Sequence, residues 1–188
     1  LADIDERQTQ RVVELAVGTG RIAVPIARAG VDVIGVDSSP GMLAVARAAA
    51  EAAGVAERVD LRLGDLREPP VTERVPLVIC PFRSLLHMPD DREKLRVLCA
   101  ARKALAEGGE LVFDVFAPSP EDIEETDGRW LEREPEIFER ADWDEASRTL
   151  TLSVRSLEST TSFTLHWLSP TEWRSLIAEA GLEVAGLH

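Results

Sequence analysis

Cysteine is scarce in this 188-residue chain: only Cys80 and Cys99 occur, both in apolar surroundings. A disulfide scaffold does not fit such a pattern, and a reducing, cytoplasmic compartment is expected. Long hydrophobic runs are missing too. None approaches the roughly 20 residues of a membrane span, and no basic start followed by an apolar middle marks a signal peptide. Histidine, cysteine and carboxylates nowhere take metal-ligand spacing, so no metal is expected. Basic residues are few, 21 Lys and Arg against 34 Asp and Glu, for a net charge of −13. That balance argues against nucleic acid, because phosphate binding needs a basic surface.

With 45% hydrophobic residues, the chain can bury a proper core without staples. Strand-like runs fall at 12–16, 31–36, 59–63, 77–80 and 110–116. Helix-like stretches at 21–29, 41–53 and 91–106 alternate with them, each ending near a glycine (Gly30, Gly54, Gly108). Glycine just past the last turn is a common helix stop. Alternating β and α with apolar strands predicts a parallel sheet covered on both faces. The pattern changes after Phe116. Strand-like stretches at 136–143, 149–157 and 162–168 predict an antiparallel insertion. Ser169, Pro170 and Glu172 then open a helix to Ala180, and a sixth core strand is expected over 182–187. The predicted organisation is an α/β core (1–117), an antiparallel insertion or lid (118–168), and a helix and strand completing the core (169–188).

The charge is uneven. Residues 121–145 hold twelve acids against three arginines, nine of the thirteen net negative charges. The segment reads as a solvated, partly mobile stretch. Alternatively, it is a negative rim attracting a cationic substrate such as an amine.

Gly18-Thr19-Gly20-Arg21-Ile22-Ala23 matches the G-x-G-x-x-G/A dinucleotide pattern, and Asp37 lies 17 residues beyond Gly20, near where a ribose-binding acid falls. Alone, this suggests NAD. The flanking residues point elsewhere. Glu14, at the end of the first strand, would repel a diphosphate but suits a ligand carrying an ammonium and a sulfonium. Gly64-Asp65-Leu66 ends the third strand, where an acid can accept from a purine amino group. Three acids, Glu14, Asp37 and Asp65, thus stand at three successive strand ends, the edge where open α/β sheets bind ligands.

With these pieces, VVELAVGTGRIAVPIARAG, VIGVDSSPGMLAVARA, LRLGDLRE, LVICPFRSLLHMPD and GGELVFDVF, the chain resembles the class I S-adenosylmethionine-dependent methyltransferases, of the small-molecule type with an insertion after strand five. The resemblance covers roughly Arg11 to Phe116. It implies a doubly wound, Rossmann-like sheet and S-adenosyl-L-methionine as cofactor, with S-adenosyl-L-homocysteine as product. Ala16, Gly18 and Gly20 would back the methionine part, with Glu14 near its ammonium. Asp37, beside Ser38, would hold the ribose hydroxyls, and Met42 would pack on the adenine. Gly64, Asp65 and Leu66 would bind the adenine edge, while Cys80 to Arg83, with Pro81 and Phe82 between them, would pass near the sulfonium. Alanine at 16 replaces a common glycine and is expected to fit. The family normally adds a seventh strand and an N-terminal cover that often carries a tyrosine. Tyrosine is absent here and the chain starts at Leu1, so a truncated chain is expected.

Methyl transfer needs alignment above all. His87 follows the fourth strand on the substrate side and is the candidate base, as histidine titrates near neutrality; a packing role is the alternative. Arg83, Trp130, His166 and Trp167 are candidate substrate contacts. The expected function is methyl transfer to N or O of a small molecule, with a mild preference for an amine. An NAD(P)-dependent oxidoreductase and a non-catalytic cofactor-binding protein are the alternatives.

Overall fold

The structure is a computed structural model describing residues 11–187. Five strands form the core sheet: β1 (Arg11–Leu15), β2 (Asp32–Asp37), β3 (Val59–Leu63), β4 (Val75–Cys80) and β5 (Leu105–Phe113). All neighbours run parallel, in the order β3-β2-β1-β4-β5. Val13 and Val78 at the centre are fully buried, as a sheet covered on both faces requires. Helices α1 (Ala23–Arg28), α2 (Pro40–Ala52) and α3 (Asp91–Ala104) supply the crossovers. Local capping fixes two starts. The Ser39 hydroxyl accepts from the Met42 N–H at 3.3 Å, and the Asp90 carboxylate from the Glu93 N–H at 2.8 Å. The order runs outward from β1 to β3, then restarts at β4 on the other side. The ends of β1 and β4 therefore flank a switch point, where such sheets leave a crevice.

The second sheet is antiparallel, in the order β6 (Trp130–Glu134), β7 (Ile137–Asp144), β8 (Thr149–Arg155), β9 (Thr160–His166). It is preceded by α4 (Pro120–Thr126) and followed by α5 (Pro170–Glu179). The acidic stretch is thus an ordered helix and a strand ladder, with most of its acids facing solvent as expected. Ser119 and Asp122 close a capping box on α4, and Arg133 and Arg140 pair with Glu139 and Asp142. Side chains alternate between the two faces. One face carries Trp143, Leu150, Leu152, Phe163 and Leu165, and the other Trp130, Phe138, Arg155, Ser153 and Ser162. Leu150 and Leu165 are buried in the same cluster as Val13, Val78, Leu98 and Trp173. The antiparallel sheet, the segment expected as a lid, and the parallel sheet therefore share one core.

The sixth core strand expected over 182–187 does not form. Leu182 packs on the core, but Val184 and Leu187 stay exposed, and residues 182–187 join no ladder. The fifth strand also ends at Phe113, earlier than expected. The chain leaves the sheet there, and Phe116 meets the edge of Trp143 with ring centroids 6.0 Å apart.

A shared core predicts a shared transition. Leu150→Ala is expected to cost about 2–5 kcal/mol, lowering the melting temperature by roughly 5–15 °C. Calorimetry should record one cooperative transition before and after. Two separate transitions would make the lid an independent unit.

Candidate functional site

The chain turns sharply after β1. Ala16, Gly18 and Gly20 have φ of 59°, 53° and 79°, a left-handed conformation that glycine adopts freely. Ala16 is accommodated at a cost of about 1–2 kcal/mol that glycine would not carry. At Gly20 space matters as well, since an added Cβ would stand 3.3 Å from Ala46 Cβ on α2. Asp37, at the end of β2, fastens this turn. Its two carboxylate oxygens accept from the Gly18 N–H at 2.9 Å and the Ser39 N–H at 2.8 Å. Each oxygen has a second lone pair left for a ligand.

The turn opens onto a cleft of about 630 Å³ at the switch point. Among the candidate residues, Ala16, Gly18, Asp37, Ser38, Met42, Asp65, Leu66, Phe82 and His87 line it. Gly20, Gly64 and Pro81 stand behind the lining. Gly64 leaves room for Pro70, whose Cδ an added Cβ would strike. The cleft also recruits Thr19, Arg21, Ser84 and Met88, which the motif strings contain without marking.

Glu14 does not reach the cleft wall. Its side chain lies beneath the glycine turn, 1% exposed, with Oε2 lacking any partner. Burial raises its pKa to about 8, partly offset by the Ala23 N–H. Asp65 already has a partner, the Arg67 guanidinium, which lowers its pKa to about 2. Arg67 also reaches Glu93 on α3 at 2.7 Å. The thiol of Cys80 is pushed up to about 12 by burial and by Asp114 and Glu14, so it is inert.

The turn after β4 is strained. Phe82 and Arg83 both have left-handed backbones, with φ of 58° and 59°. Such conformations persist in bulky residues only where the surroundings enforce them. Arg21 lies over the Phe82 ring at 5.2 Å, and Arg83 turns aside over Phe116 at 5.4 Å. His87 stands on the cleft edge against Phe163 of β9, ring centroids 5.5 Å apart, and burial lowers its pKa.

None of the four candidate substrate contacts lines the cleft: Arg83 turns aside, and the other three lie farther off. Trp130 belongs to the lid face opposite Phe163, with Arg155 stacked 4.3 Å above it. Trp167 packs against the core with its indole Nε1 enclosed. His166 is buried at the end of β9, its Nδ1 2.9 Å from Lys94 Nζ. The aromatic ring of this sheet that comes to the cleft edge is Phe163, through its contact with His87, and only the strand register reveals it.

Strand order, glycine turn and acid-lined cleft together define a Rossmann-like cofactor domain. The chain belongs to the methyltransferase domain family, which matches residues 12–109. It is similar in structure to the CcbJ methyltransferase of Streptomyces caelestis. There the TM-score is 0.83 at 28% identity, over 95% of this chain and 79% of that one. In sequence it resembles the ubiquinone biosynthesis O-methyltransferase of Azorhizobium caulinodans, 43% identical over 31% of this chain and 22% of the relative. It also resembles the demethylmenaquinone methyltransferase of Thermus thermophilus, 34% identical over 61% of this chain and 51% of the relative. The chain thus spans about half, or less, of the length of these curated relatives. The resemblance to class I S-adenosylmethionine-dependent methyltransferases is borne out. No helix among the described residues is long and apolar enough to cross a membrane.

Glu14 gives a pH prediction. Its folded pKa, about 8, lies above the ordinary 4.5. The protonated carboxyl therefore favours folding below about pH 4.5, and that contribution is lost as pH rises through 8. Glu14→Gln should remove the loss, making the variant more stable than the parent at pH 8 by roughly 3–5 kcal/mol. Denaturant titrations at pH 5 and pH 8 test this. An equal pH dependence in parent and variant would refute it.

Proposed function

We propose that this chain binds S-adenosylmethionine in the cleft at the β1/β4 switch point and transfers its methyl group to N or O of a small molecule. The observation carrying this reading is Asp37. Its carboxylate braces the turn through one lone pair on each oxygen, and the remaining two suit the vicinal hydroxyls of a ribose. Met42, 47% exposed, and Leu66 offer apolar walls for an adenine. Asp65 can accept from its amino group while sharing Arg67. Glu14 lies beneath the turn, outside the cleft lining, and is mostly protonated near neutral pH, so the ammonium contact expected of it is not part of this reading. The pairing of Asp37 with Asp65 and an apolar wall between them is the donor set an adenosine needs.

When bound, S-adenosylmethionine supplies a methyl carbon activated by its sulfonium and is released as S-adenosylhomocysteine. Phe82 narrows the approach from the β4 side. His87 faces the same space from the cleft edge, and its lowered pKa keeps the ring neutral near pH 7, able to accept a proton from the acceptor's N or O. A small amine is the preferred acceptor class because the net charge of −13 attracts cations at long range. The same charge disfavours a nucleic acid.

Asp37→Ala should weaken S-adenosylhomocysteine binding by about 100-fold or more, two charge-assisted hydrogen bonds being lost. Calorimetry on parent and variant measures this. Unchanged affinity, or micromolar NADH binding in its place, would overturn the reading. A methyl-donor consumption screen across amines, sugars and phenols identifies the acceptor. With an acceptor in hand, His87→Gln should reduce turnover about 100-fold; full activity would leave His87 a packing role.

A further inference from the structure

Lys94 is out of place. It lies on α3 in one stripe with Val97, Leu98 and Ala101, all buried, and its own side chain is 0% exposed. A methionine there would fill the stripe without burying a charge, whereas a buried ammonium is costly unless it is hydrogen-bonded. The ammonium donates to the Met88 carbonyl at 2.7 Å and meets His166 Nδ1 at 2.9 Å. Met88 lines the cleft and follows His87. His166 ends β9, three residues after Phe163, the ring on which His87 rests.

We propose that Lys94 is a positioning residue that clips the end of lid strand β9 to the 84–88 turn, and so holds His87 against Phe163 at the cleft edge. Its ammonium offers three protons, and the two acceptors it reaches belong to the two segments that must meet. The arrangement fixes the tautomer of His166. Nδ1 accepts, so the ring is neutral with its proton on Nε2. A protonated ring would set two donors face to face at 2.9 Å, with Asp91 Oδ1, 3.8 Å from Nδ1, the more distant partner. The surroundings agree. Burial, Lys94 and Arg148 lower the His166 pKa, against a smaller opposing effect of Asp91 and Asp90. Arg148 is itself held by Asp91 and Glu172, so the positive charges beside the ring stay in place. Burial likewise lowers the Lys94 pKa to about 8, with Asp91 and Asp90 partly restoring it. The ammonium therefore remains mostly charged at pH 7.

The value of the clip to catalysis rests on reading the cleft as a methyl-transfer site; the clip itself does not. NMR of the whole chain separates the two, since only three histidines are present. At pH 7, ring nitrogen shifts should report the Nε2–H tautomer for His166. In Lys94→Met, His87 should lose its cover and titrate at the ordinary imidazole value of about 6.5, while S-adenosylhomocysteine affinity is retained because Asp37 and the glycine turn are untouched. Phe163→Ala should move His87 in the same way. An Nδ1–H or protonated His166 in the parent protein would overturn the proposal even if Lys94→Met failed to fold. An unshifted His87 in a folded Lys94→Met would also overturn it. Failure of the parent chain to bind S-adenosylhomocysteine would instead strike the functional reading and leave the clip standing.

Discussion

The hydrogen bond from the Gly18 N–H to Asp37 is the contact on which the site depends. It joins the end of β2 to the turn after β1, across a distance that strand pairing alone does not bridge. β1 and β2 are in register up to Leu15 and Val36, and the ladder is extended by one bond, from the Val17 N–H to the Val36 carbonyl at 3.0 Å. Beyond that point the two chains must diverge, one into the glycine turn and the other into α2. A single carboxylate governs both departures by accepting from Gly18 and from Ser39. The crevice between them is then a consequence of geometry, and its floor is made of backbone.

A similar economy governs the opposite wall. Phe82 and Arg83 are two consecutive non-glycine residues in the left-handed region, each at a cost of about 1–2 kcal/mol. The strain persists because their side chains are held from outside, Phe82 under Arg21 and Arg83 over Phe116. Strained backbone concentrates where a segment must present a side chain in an unusual direction. Here it turns the chain out of β4 and into the short helical turn that carries Ser84 and His87 to the cleft.

Contiguous motifs were legible in the sequence. The glycine turn, Asp37, Met42, Asp65, Leu66 and the 81–87 stretch sit a few residues from strand ends, so the strand pattern alone brings most of them to one edge. The helix opened by Ser169 was legible as well, because its capping box is a local pattern. The failures share a cause. β6 reads Trp-Leu-Glu-Arg-Glu, and its acids hide a strand that exists through pairing with β7. Trp130, His166 and Trp167 looked like substrate contacts because they are aromatic or titratable. Which face of a strand they occupy depends on register, and a shift of one residue reverses it. Lys94 gave no signal because lysine on a helix usually faces water. Only its fit to the stripe of Val97, Leu98 and Ala101 set it apart, and that fit shows its meaning only once β9 lies alongside.

The lid also revises the meaning of the acidic charge. Glu132 and Asp142 alternate onto the face shared with Trp130, away from Phe163, and Asp142 is paired with Arg140. Glu139 is on the inner face but is paired with Arg133. Among the described residues, none of this segment lines the cleft. What the second sheet brings to the cleft edge is its apolar inner face, where Phe163 meets His87, opposite the strained turn bearing Phe82. The hold on β9 comes from outside that sheet, from Lys94 of α3, so the packing of a core helix reaches the His87–Phe163 contact.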